Sequence, residues 1–231
     1  MELSLDTSTA FTSLALSQEG KVIAELTWKT GRNQTAETMP GLLSLLRLAE
    51  VDRRSIEGVI LARGPGSFNG LRAGMSLAKG LAFSLGIPLV SISTLEVAAY
   101  PYAATRLPIC SMLNAGRGEI AAAIYQSLRG RWRRLVEEHI TDPEGLISSI
   151  HGRTLFCGEI PEPVAAKISG SLGSSAIIIG GAAGVRRAAY LAELGWRRLQ
   201  AGDFDHIPTL QPLYLRKPAI TLSSKIRTCE A

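Results

Sequence analysis

A glycine-rich segment between a predicted strand and a predicted helix constrains this chain more than any other feature. Residues 63–74 have the sequence RGPGSFNGLRAG, which follows the apolar run 58–62 and leads into the apolar, small-residue stretch 70–85. Glycine is used where the backbone needs a positive φ or where another group must approach the main chain, and a helix N-terminus attracts anions. The order of strand, glycine loop and helix predicts an α/β protein. The loop itself is either a phosphate cradle or a tight turn without a ligand.

Two nucleotide-binding fingerprints do not fit this loop. A P-loop requires G-x-x-x-x-G-K-[ST], but here Lys79 precedes Gly80 and no Gly-Lys-Ser/Thr occurs. The dinucleotide pattern G-x-G-x-x-G fails because Asn69 stands where the third glycine belongs. Both fingerprints are therefore excluded.

Hydrophobic periodicity predicts alternating strands and helices along the rest of the chain. Short apolar runs around the turn signal Glu19-Gly20 predict a β-meander over residues 2–28, and spacing at i, i+3, i+4 and i+7 predicts a helix over 35–49 with Thr35 as its N-cap. Further strands are predicted over 58–62, 88–93, 108–114, 119–126 and 132–140. Further helices are predicted over 70–85, 94–103, 143–150, 161–168 and 181–195, with brief apolar segments at 154–158 and 176–180.

We expect two lobes with a break near residues 102–108, where Pro101 and Pro108 bracket the end of a helix. This division gives an N-terminal lobe of residues 1–104, with the glycine loop and two apolar helices, and a C-terminal lobe of residues 105–231. The sequence shows no low-complexity tract and no short internal repeat.

The helix predicted over 70–85 is apolar on nearly all sides, since only Arg72 and Lys79 are charged. Small residues recur every four positions along one face: Gly70, Gly74, Ala78 and Ala82. Such a helix is buried, and its small residues let another backbone come close. It is either sandwiched in the core or faces a partner subunit. The wide leucine stripe of the helix at 35–49 favours an interface.

The composition excludes small domains that depend on disulfides or metals to fold, and it excludes disordered chains. The chain has 231 residues, 46% of them hydrophobic, and a net charge of only +5. Cys110, Cys157 and Cys229 are odd in number and form no C-x-x-C pair, as expected for buried or incidental reduced thiols. The N-terminus lacks a basic region before an apolar run, and no stretch is apolar enough to span a membrane. We expect a cytoplasmic protein without a membrane segment.

Few residues suggest catalysis. The DTST segment at 6–9 is either a strand end that turns into a hairpin or a set of groups that approaches a metal-bound phosphate. His139, His151 and His206 show no H-x-x-x-H or H-E-x-x-H spacing, and there is no G-x-S-x-G elbow. We therefore predict no metal site in the protein and name no catalytic residue.

A basic segment, RGRWRR at 129–134, favours the tip of a solvated hairpin. The alternative is a nucleic-acid contact around Trp132. In that case the contacting residues would be Arg129, Arg131, Arg133 and Arg134. The calculated pI near 9.3 permits such a partner but is weak support.

Five segments, in order along most of the chain, resemble the TsaB (YeaZ) family, the dimerisation subunit of the bacterial tRNA threonylcarbamoyladenosine machinery. They are LDTST at 5–9, RNQTAETMPGLLSLL at 32–46, GPGSFNGLRAGMSLAKGLA at 64–82, LNAGRGEIAAAIY at 113–125 and PLYLRKP at 212–218. The resemblance implies an actin-like ATPase (ASKHA) fold of class α/β, with two lobes, each with a five-stranded mixed β-sheet flanked by helices.

The resemblance also implies a non-catalytic dimerisation or scaffold subunit. It would bind a catalytic paralogue, TsaD, through the helices at 35–49 and 70–85, with the ATPase TsaE joining the assembly. The complex transfers threonylcarbamoyl to the tRNA adenosine beside the anticodon, so tRNA is met through the complex. Without its partner the chain would form a homodimer. The ten predicted contact residues are Met39, Leu42, Leu45, Leu46, Arg72, Gly74, Met75, Ala78, Lys79 and Ala82.

The alternative function is an ATP-binding enzyme of the same fold with weak ATPase activity of its own. Its nucleotide would lie between the DTST segment and the glycine loop, in a site that the resemblance suggests is vestigial. The predicted residues of that site are Asp6, Thr7, Ser8, Gly64 and Gly66. The scaffold hypothesis requires no cofactor for the subunit and leaves ATP or ADP with magnesium to the complex.

Two residues depart from the family pattern. Gln34 and Asn114 stand where the family often has a histidine and an aspartate. An amide in place of a carboxylate at a phosphate-facing position weakens metal-assisted chemistry. The chain also lacks the H-x-x-x-H pair with which the catalytic paralogues hold their metal. These departures count against intrinsic ATPase activity and against the older label of glycoprotease.

Overall fold

Two five-stranded mixed sheets with the same strand order form the framework. The computed structural model describes residues 1–31 and 33–216. The first sheet has the order β3-β2-β1-β4-β5, with β1 (Glu2–Asp6), β2 (Phe11–Gln18), β3 (Lys21–Lys29), β4 (Gly58–Ala62) and β5 (Leu89–Ile92). The second has the order β10-β9-β6-β7-β8, with β6 (Ile109–Gly116), β7 (Glu119–Leu128), β8 (Arg131–Thr141), β9 (Thr154–Gly158) and β10 (Ala176–Ile178).

The two sheets repeat one topology. In each, the first three strands form an antiparallel meander and the fourth and fifth strands add in parallel beside the first. The sequence shows no repeat because the two halves are alike in strand order and connection and not in residue identity.

Among the described residues, six α-helices cover the sheets: α1 (Gln34–Leu48), α2 (Phe68–Leu85), α3 (Thr94–Ala99), α4 (Pro143–Ser149), α5 (Glu162–Leu172) and α6 (Ala188–Gln200). Helices α1 and α2 pack on one face of the first sheet, and α6 packs on the other face. Helices α4 and α5 pack on one face of the second sheet, and α3 packs on its other face. The third helix of each half therefore packs on the sheet of the other half. The division of the chain into two lobes at residue 105 stays a prediction. Helices α3 and α6 each pack on the sheet that lies on the other side of this division.

Most predicted elements lie where the sequence placed them, with corrections at helix ends. Helix α1 begins at Gln34 after Asn33, whose carbonyl accepts hydrogen bonds from the amides of Ala36 and Glu37. Thr35 is therefore inside the first turn, and its prediction as N-cap is wrong. The helix predicted over 94–103 ends at Ala99 and continues as a 3-10 turn over Tyr100–Thr105. Pro101 explains the change because it cannot donate an α-helical hydrogen bond.

Two of the three cysteines are buried free thiols, as predicted. Burial raises the pKa of the Cys110 thiol and raises that of Cys157 to about 12. Cys229 lies outside the described residues. In the part of the chain that the structure describes, no cluster of three or more His, Cys, Asp or Glu side chains could hold a metal ion. The helices of residues 1–31 and 33–216 include none with the length and apolar character to span a bilayer.

Candidate functional site

The glycines of the loop and of α2 let this segment touch the DTST segment. A Cβ on Gly66 would lie 2.1 Å from the Ser8 carbonyl oxygen, and one on Gly70 would lie 2.1 Å from that of Thr7. A Cβ on Gly74 would lie 2.2 Å from Thr7 Oγ1. Real Cβ atoms do not approach other atoms so closely. Glycine is thus required here by contact with the DTST segment of the same chain.

Hydrogen bonds fix the same contact. The Ser67 amide donates to the Ser8 carbonyl at 2.6 Å, and Thr7 Oγ1 donates to the Gly70 carbonyl at 2.7 Å. Helix α2 starts from this point, with Ser67 Oγ accepting from the Gly70 amide at its N-cap. The first turn of α2 is therefore tied to the end of β1.

Gly64 occupies a left-handed backbone position, with φ at +115°. Its amide donates to Thr94 Oγ1 at 3.1 Å, and a Cβ there would lie 2.8 Å from the Leu213 carbonyl oxygen. The Leu213 amide in turn donates to the Arg63 carbonyl at 2.8 Å. The loop is thus enclosed by helix α3 and by the chain that follows α6.

Asp6, at the end of β1, forms a buried ion pair with an arginine from the far end of the chain. Its Oδ2 accepts from Arg186 Nε at 3.0 Å, and its Oδ1 accepts from the amide and the hydroxyl of Ser8 at 2.9 and 2.5 Å. The two charged side chains are only 2% and 4% exposed. Arg186 also donates to Thr9 Oγ1 at 2.6 Å and to Glu159 at 3.4 Å. Arg186 thus links the first sheet to the end of β9 in the second.

The electrostatics of Arg186 follow from this setting. Burial alone would lower the pKa of its guanidinium, but the ion pairs with Asp6 and Glu159 raise it above the ordinary value. A fixed positive charge therefore occupies the end of β1, where a metal-bound phosphate was one of two hypotheses.

The residues at this point do not fit a nucleotide with a magnesium ion. Both oxygens of Asp6 accept hydrogen bonds from protein groups, and the guanidinium of Arg186 already pairs with its charge. The space that Gly66 and Gly70 leave is filled by the backbone of the DTST segment. A cavity of about 630 Å³ opens beside Arg186, between Lys29, Asn114 and the residues that follow β9. The vestigial nucleotide site proposed for Asp6, Thr7, Ser8, Gly64 and Gly66 stays a prediction.

The two departures from the family pattern have local structural roles. The buried Gln34 side chain donates to the carbonyls of Thr9 and Gly31 at 2.9 and 2.8 Å, which ties the start of α1 to the turn after β1. Asn114 Oδ1 accepts from the Gly116 amide at 2.8 Å in the turn between β6 and β7.

The ten predicted contact residues on α1 and α2 divide by burial. Met39 and Arg72 are exposed, and Lys79 is half-buried with its Nζ 3.4 Å from the Pro208 carbonyl. The other seven are buried in the core of the first lobe: Leu42, Leu45, Leu46, Gly74, Met75, Ala78 and Ala82. Those seven face the sheet, so a partner cannot touch them in this structure. The ten-residue contact set stays a prediction, and only Met39, Arg72 and Lys79 among its members are accessible in this structure.

A different set of apolar side chains is exposed on these helices. Phe83 is 83% exposed, Leu48 is 75% exposed and Leu43 is 53% exposed. Met39 and Phe68 are also exposed, and Phe68 contacts both the Tyr214 ring and the Arg72 guanidinium. We name this surface the outer face of α1 and α2. It consists of Met39, Leu43, Leu48, Phe68 and Phe83, of which Met39 also lines a groove of about 550 Å³ between the two helices.

Some residues of this face were predicted from the sequence, and others were not. Leu43 and Leu48 belong to the predicted leucine stripe but were not among the contact residues. Phe83 was missed, although it follows Ala82 of the small-residue row and so points about 100° away from it around the helix. A large aromatic residue beside a row of small ones was the available signal.

The basic segment at 129–134 forms the tip of the β7–β8 hairpin, as predicted. Trp132 stacks on Tyr125 with ring centroids 5.6 Å apart and donates to Glu96. Arg134 pairs with Glu137 and Glu138. These two residues therefore have structural roles, while the other arginines of the segment are exposed.

Comparisons with known proteins identify the family. The family model of tRNA N6-adenosine threonylcarbamoyltransferase (TsaD) matches residues 22–219. The tRNA threonylcarbamoyladenosine biosynthesis protein TsaB of Bacillus subtilis (strain 168) is 31% identical over 217 residues, which covers 93% of each chain.

Solved structures show the fold. A Pseudomonas aeruginosa protein described as similar to the peptidase YeaZ has a TM-score of 0.80 at 23% identity, covering 93% of this chain and 99% of that one. The ethanolamine utilization protein EutJ of Carboxydothermus hydrogenoformans has a TM-score of 0.52 at 12% identity, covering 84% of this chain and 89% of that one. The expected actin-like ATPase fold is thereby confirmed. Because the likeness in sequence covers nearly the full length of both chains, this protein belongs to the TsaB family, within the wider threonylcarbamoyltransferase family.

Proposed function

We propose that this chain is a non-catalytic scaffold subunit in the synthesis of threonylcarbamoyladenosine in tRNA, and that the outer face of α1 and α2 binds a TsaD-like catalytic paralogue. The observation that carries the proposal is the exposure of Phe83, Leu48 and Leu43 on helices whose opposite faces already complete the core of their lobe. Large exposed apolar patches mark interaction sites. The names of the TsaB relatives support the pathway.

The dimensions of this face suit a stable interface. The two helices have 15 and 18 residues, so they are about 22 and 27 Å long. A stable interface buries about 1,600 Å² in total. Small residues also permit close approach, since a Cβ at the exposed Gly80 would meet no atom within 4 Å.

The proposed partner shares the fold of this chain, because the TsaD family model matches residues 22–219 here. A partner of the same fold has a helix pair in the same topological position, so two like faces can pair around a pseudo-twofold axis. The same argument predicts that the isolated chain pairs with itself.

The remaining parts of the proposal concern cofactors and setting. The Asp6–Arg186 ion pair supports a subunit that needs no nucleotide or metal of its own. ATP or ADP with magnesium then acts at the level of the complex, which a TsaE-like ATPase and tRNA join in the cytoplasm.

The mass of the complex tests the docking role. The purified chain is mixed with a TsaD-like subunit and the mass is measured by light scattering during gel filtration. Leu43→Arg places a charge in the outer face and is expected to abolish the complex, because an unpaired charge would be buried there. Ile23→Arg changes another exposed apolar residue, on β3, and serves as the matched control. A Leu43→Arg variant that binds as well as Ile23→Arg would contradict the proposal.

Calorimetric titration tests the alternative of an ATP-binding enzyme. The isolated chain is titrated with ATP and magnesium, and phosphate release is followed in parallel. We expect neither micromolar binding nor turnover, because both oxygens of Asp6 already accept hydrogen bonds from Ser8 and Arg186. Binding with turnover would replace the scaffold proposal.

A further inference from the structure

Five exposed arginines collect at one end of the second sheet, where β6, β8, β9 and β10 begin and β7 ends. We call this surface the basic end. It consists of Arg106, Arg129, Arg131, Arg133 and Arg153. Within residues 1–31 and 33–216, none of the five forms an ion pair.

The strand register places these arginines on one surface. Ile109, at the start of β6, lies between Tyr125 and Leu155, while Arg131 pairs with Leu128 at the far tip of the hairpin. The tip thus extends about 10 Å beyond Ile109, at roughly 3.3 Å per residue. Strands β9, β6, β7 and β8 span about 14 Å across the sheet at roughly 4.8 Å per gap.

A side-chain contact closes the gap between the hairpin and the chain before β6. Gln126 pairs in register with Arg133, and its Nε2 donates to the Arg106 carbonyl at 2.8 Å. Arg153 immediately precedes β9, whose Leu155 amide donates to the Pro108 carbonyl at 2.9 Å. The arginines thus come from the chain before β6, from the β7–β8 hairpin and from the chain before β9, which meet at the same end.

No acidic residue lies in the four chain segments at this end of the sheet. Residues 100–108, 126–133, 149–153 and 172–175 contain no Asp or Glu. The chain has 25 Lys and Arg against 20 Asp and Glu, so without these five arginines the numbers would be 20 and 20. The net positive charge of the protein equals the charge of the basic end.

We propose that the basic end binds the phosphate backbone of RNA directly. Guanidinium groups bind phosphate oxygens in a two-pronged geometry, and several cations spread over about 10 by 14 Å match a polyanion better than a single small anion. The basic end lies on the second lobe, whereas the outer face of α1 and α2 lies on the first, so the proposal goes beyond the docking role. The set also differs from RGRWRR alone: Arg134 is held by Glu137 and Glu138, and Arg106 and Arg153 join from elsewhere.

Salt-dependent RNA binding by the full chain tests this proposal. Fluorescence anisotropy with labelled bulk tRNA is measured between about 50 and 200 mM salt, the range over which phosphate contacts lose most affinity. The paired variant Arg131→Gln and Arg133→Gln is expected to bind roughly tenfold more weakly at low salt and to lower the salt slope by about one to two. The charge-matched control is Arg53→Gln with Arg54→Gln, two exposed arginines after α1.

A second variant, Arg106→Gln with Arg153→Gln, probes the two arginines outside the hairpin and is expected to weaken binding to a similar extent. Unchanged binding in both basic-end variants, or an equal loss in the control, would overturn the proposal. Competition with polyglutamate distinguishes an acidic protein segment from RNA: a polyglutamate as effective as RNA at equal charge would also overturn it. Complex formation with the TsaD-like subunit should be unaffected by these variants, so failure here is separable from failure of the docking role.

Discussion

The two lobes place helices at the same topological positions but present different surfaces to the solvent. Helices α1 and α4 each connect the meander to the fourth strand, and α2 and α5 each connect the fourth strand to the fifth. In the first lobe these helices have 15 and 18 residues and expose Leu43, Leu48 and Phe83. In the second they have 7 and 11 residues and carry a surface ion pair between Lys167 and Glu144.

The difference shows that the apolar outer face is not a requirement of the fold. Helices α4 and α5 cover their sheet with a single apolar side, formed by Leu146, Val164 and Ile168, and leave polar residues outside. Helices α1 and α2 complete the core with Leu42, Leu45 and Met75 and still carry further apolar residues on the other side. The proposed docking of a partner would account for this excess, because large exposed apolar patches mark interaction sites.

The largest expected effect comes from Asp6→Ala. This substitution tests whether the buried ion pair between Asp6 and Arg186 holds the two lobes together. The substitution leaves Arg186 buried without its main partner, which is expected to cost about 3 to 5 kcal/mol of the free energy of unfolding. Urea unfolding followed by circular dichroism measures the change. Glu144→Gln breaks the exposed ion pair with Lys167 and is expected to cause no measurable loss. If Asp6→Ala unfolds at the same urea concentration as Glu144→Gln, the ion pair does not hold the lobes.

Phe83→Glu tests the apolar face itself. Phe83 is the most exposed large apolar side chain in the described part of the chain, and a buried aromatic anchor typically contributes about 2 kcal/mol or more to binding. We expect self-association and binding of the TsaD-like subunit to weaken by roughly 30-fold or more. Sedimentation velocity over a range of concentrations measures both.

The matched control for this prediction lies on the second lobe. Ser169→Glu introduces the same charge on the exposed side of α5 and is expected to leave association unchanged. Equal weakening by both variants would mean that overall charge, and not the outer face, controls association.

Most elements of both lobes follow from local sequence patterns, although the helix predicted over 181–195 begins only at Ala188. The strand predicted over 58–62 is β4, and the helix predicted over 143–150 is α4 with its last residue removed. These predictions succeed because periodicity, caps and turn residues lie within a few positions of one another. Gly86, with φ at +66°, ends α2 where the sequence predicted a stop.

The candidate sites depended on contacts that no local pattern contains. Leu42 and Leu43 are equally apolar, and only the position of the sheet decides that Leu42 is buried and Leu43 exposed. Arg186 lies 180 positions from Asp6 along the chain, so the ion pair that fills the end of β1 has no signal in the sequence. Local patterns therefore predicted α1 and α2 as helices but did not predict which of their residues are exposed.

Substitutions at two exposed glycines allow a direct comparison of the helices of the two lobes. Gly80 in α2 and Gly170 in α5 are exposed, and a Cβ on either would meet no atom within 4 Å. Each change to alanine is expected to stabilise the protein by about 1 kcal/mol, because glycine is unfavourable within a helix. Thermal unfolding measures this gain. Substitution by arginine separates the two helices further. Gly80→Arg is expected to block binding of the TsaD-like subunit, whereas Gly170→Arg is expected to leave binding unchanged. Equal effects of the two variants on binding would place the interface elsewhere.

The smallest expected effect concerns α3 and α6, the two helices that each pack on the sheet of the other half. This effect depends on pH. The buried positions of α6 are apolar or glycine, whereas α3 carries the carboxyl of Glu96 against the second sheet, where Trp132 Nε1 donates to it at 3.1 Å. Burial raises the pKa of Glu96 above its ordinary value of 4.5, with a smaller contribution from Glu138, although the bond from Trp132 opposes it.

A raised carboxyl pKa means that the folded state holds its proton more tightly than the unfolded state. The corresponding stability is fully present below pH 4.5 and is lost as the pH rises through the pKa of the folded protein. Glu96→Gln keeps an oxygen that can accept from Trp132 and removes the ionisation. We therefore expect its stability relative to the unmodified chain to increase as the pH rises from about 4.5 toward 8, as measured by urea unfolding at several pH values. A difference between the two proteins that stays constant with pH would show that the Glu96 carboxyl ionises as easily in the folded chain as in the unfolded one.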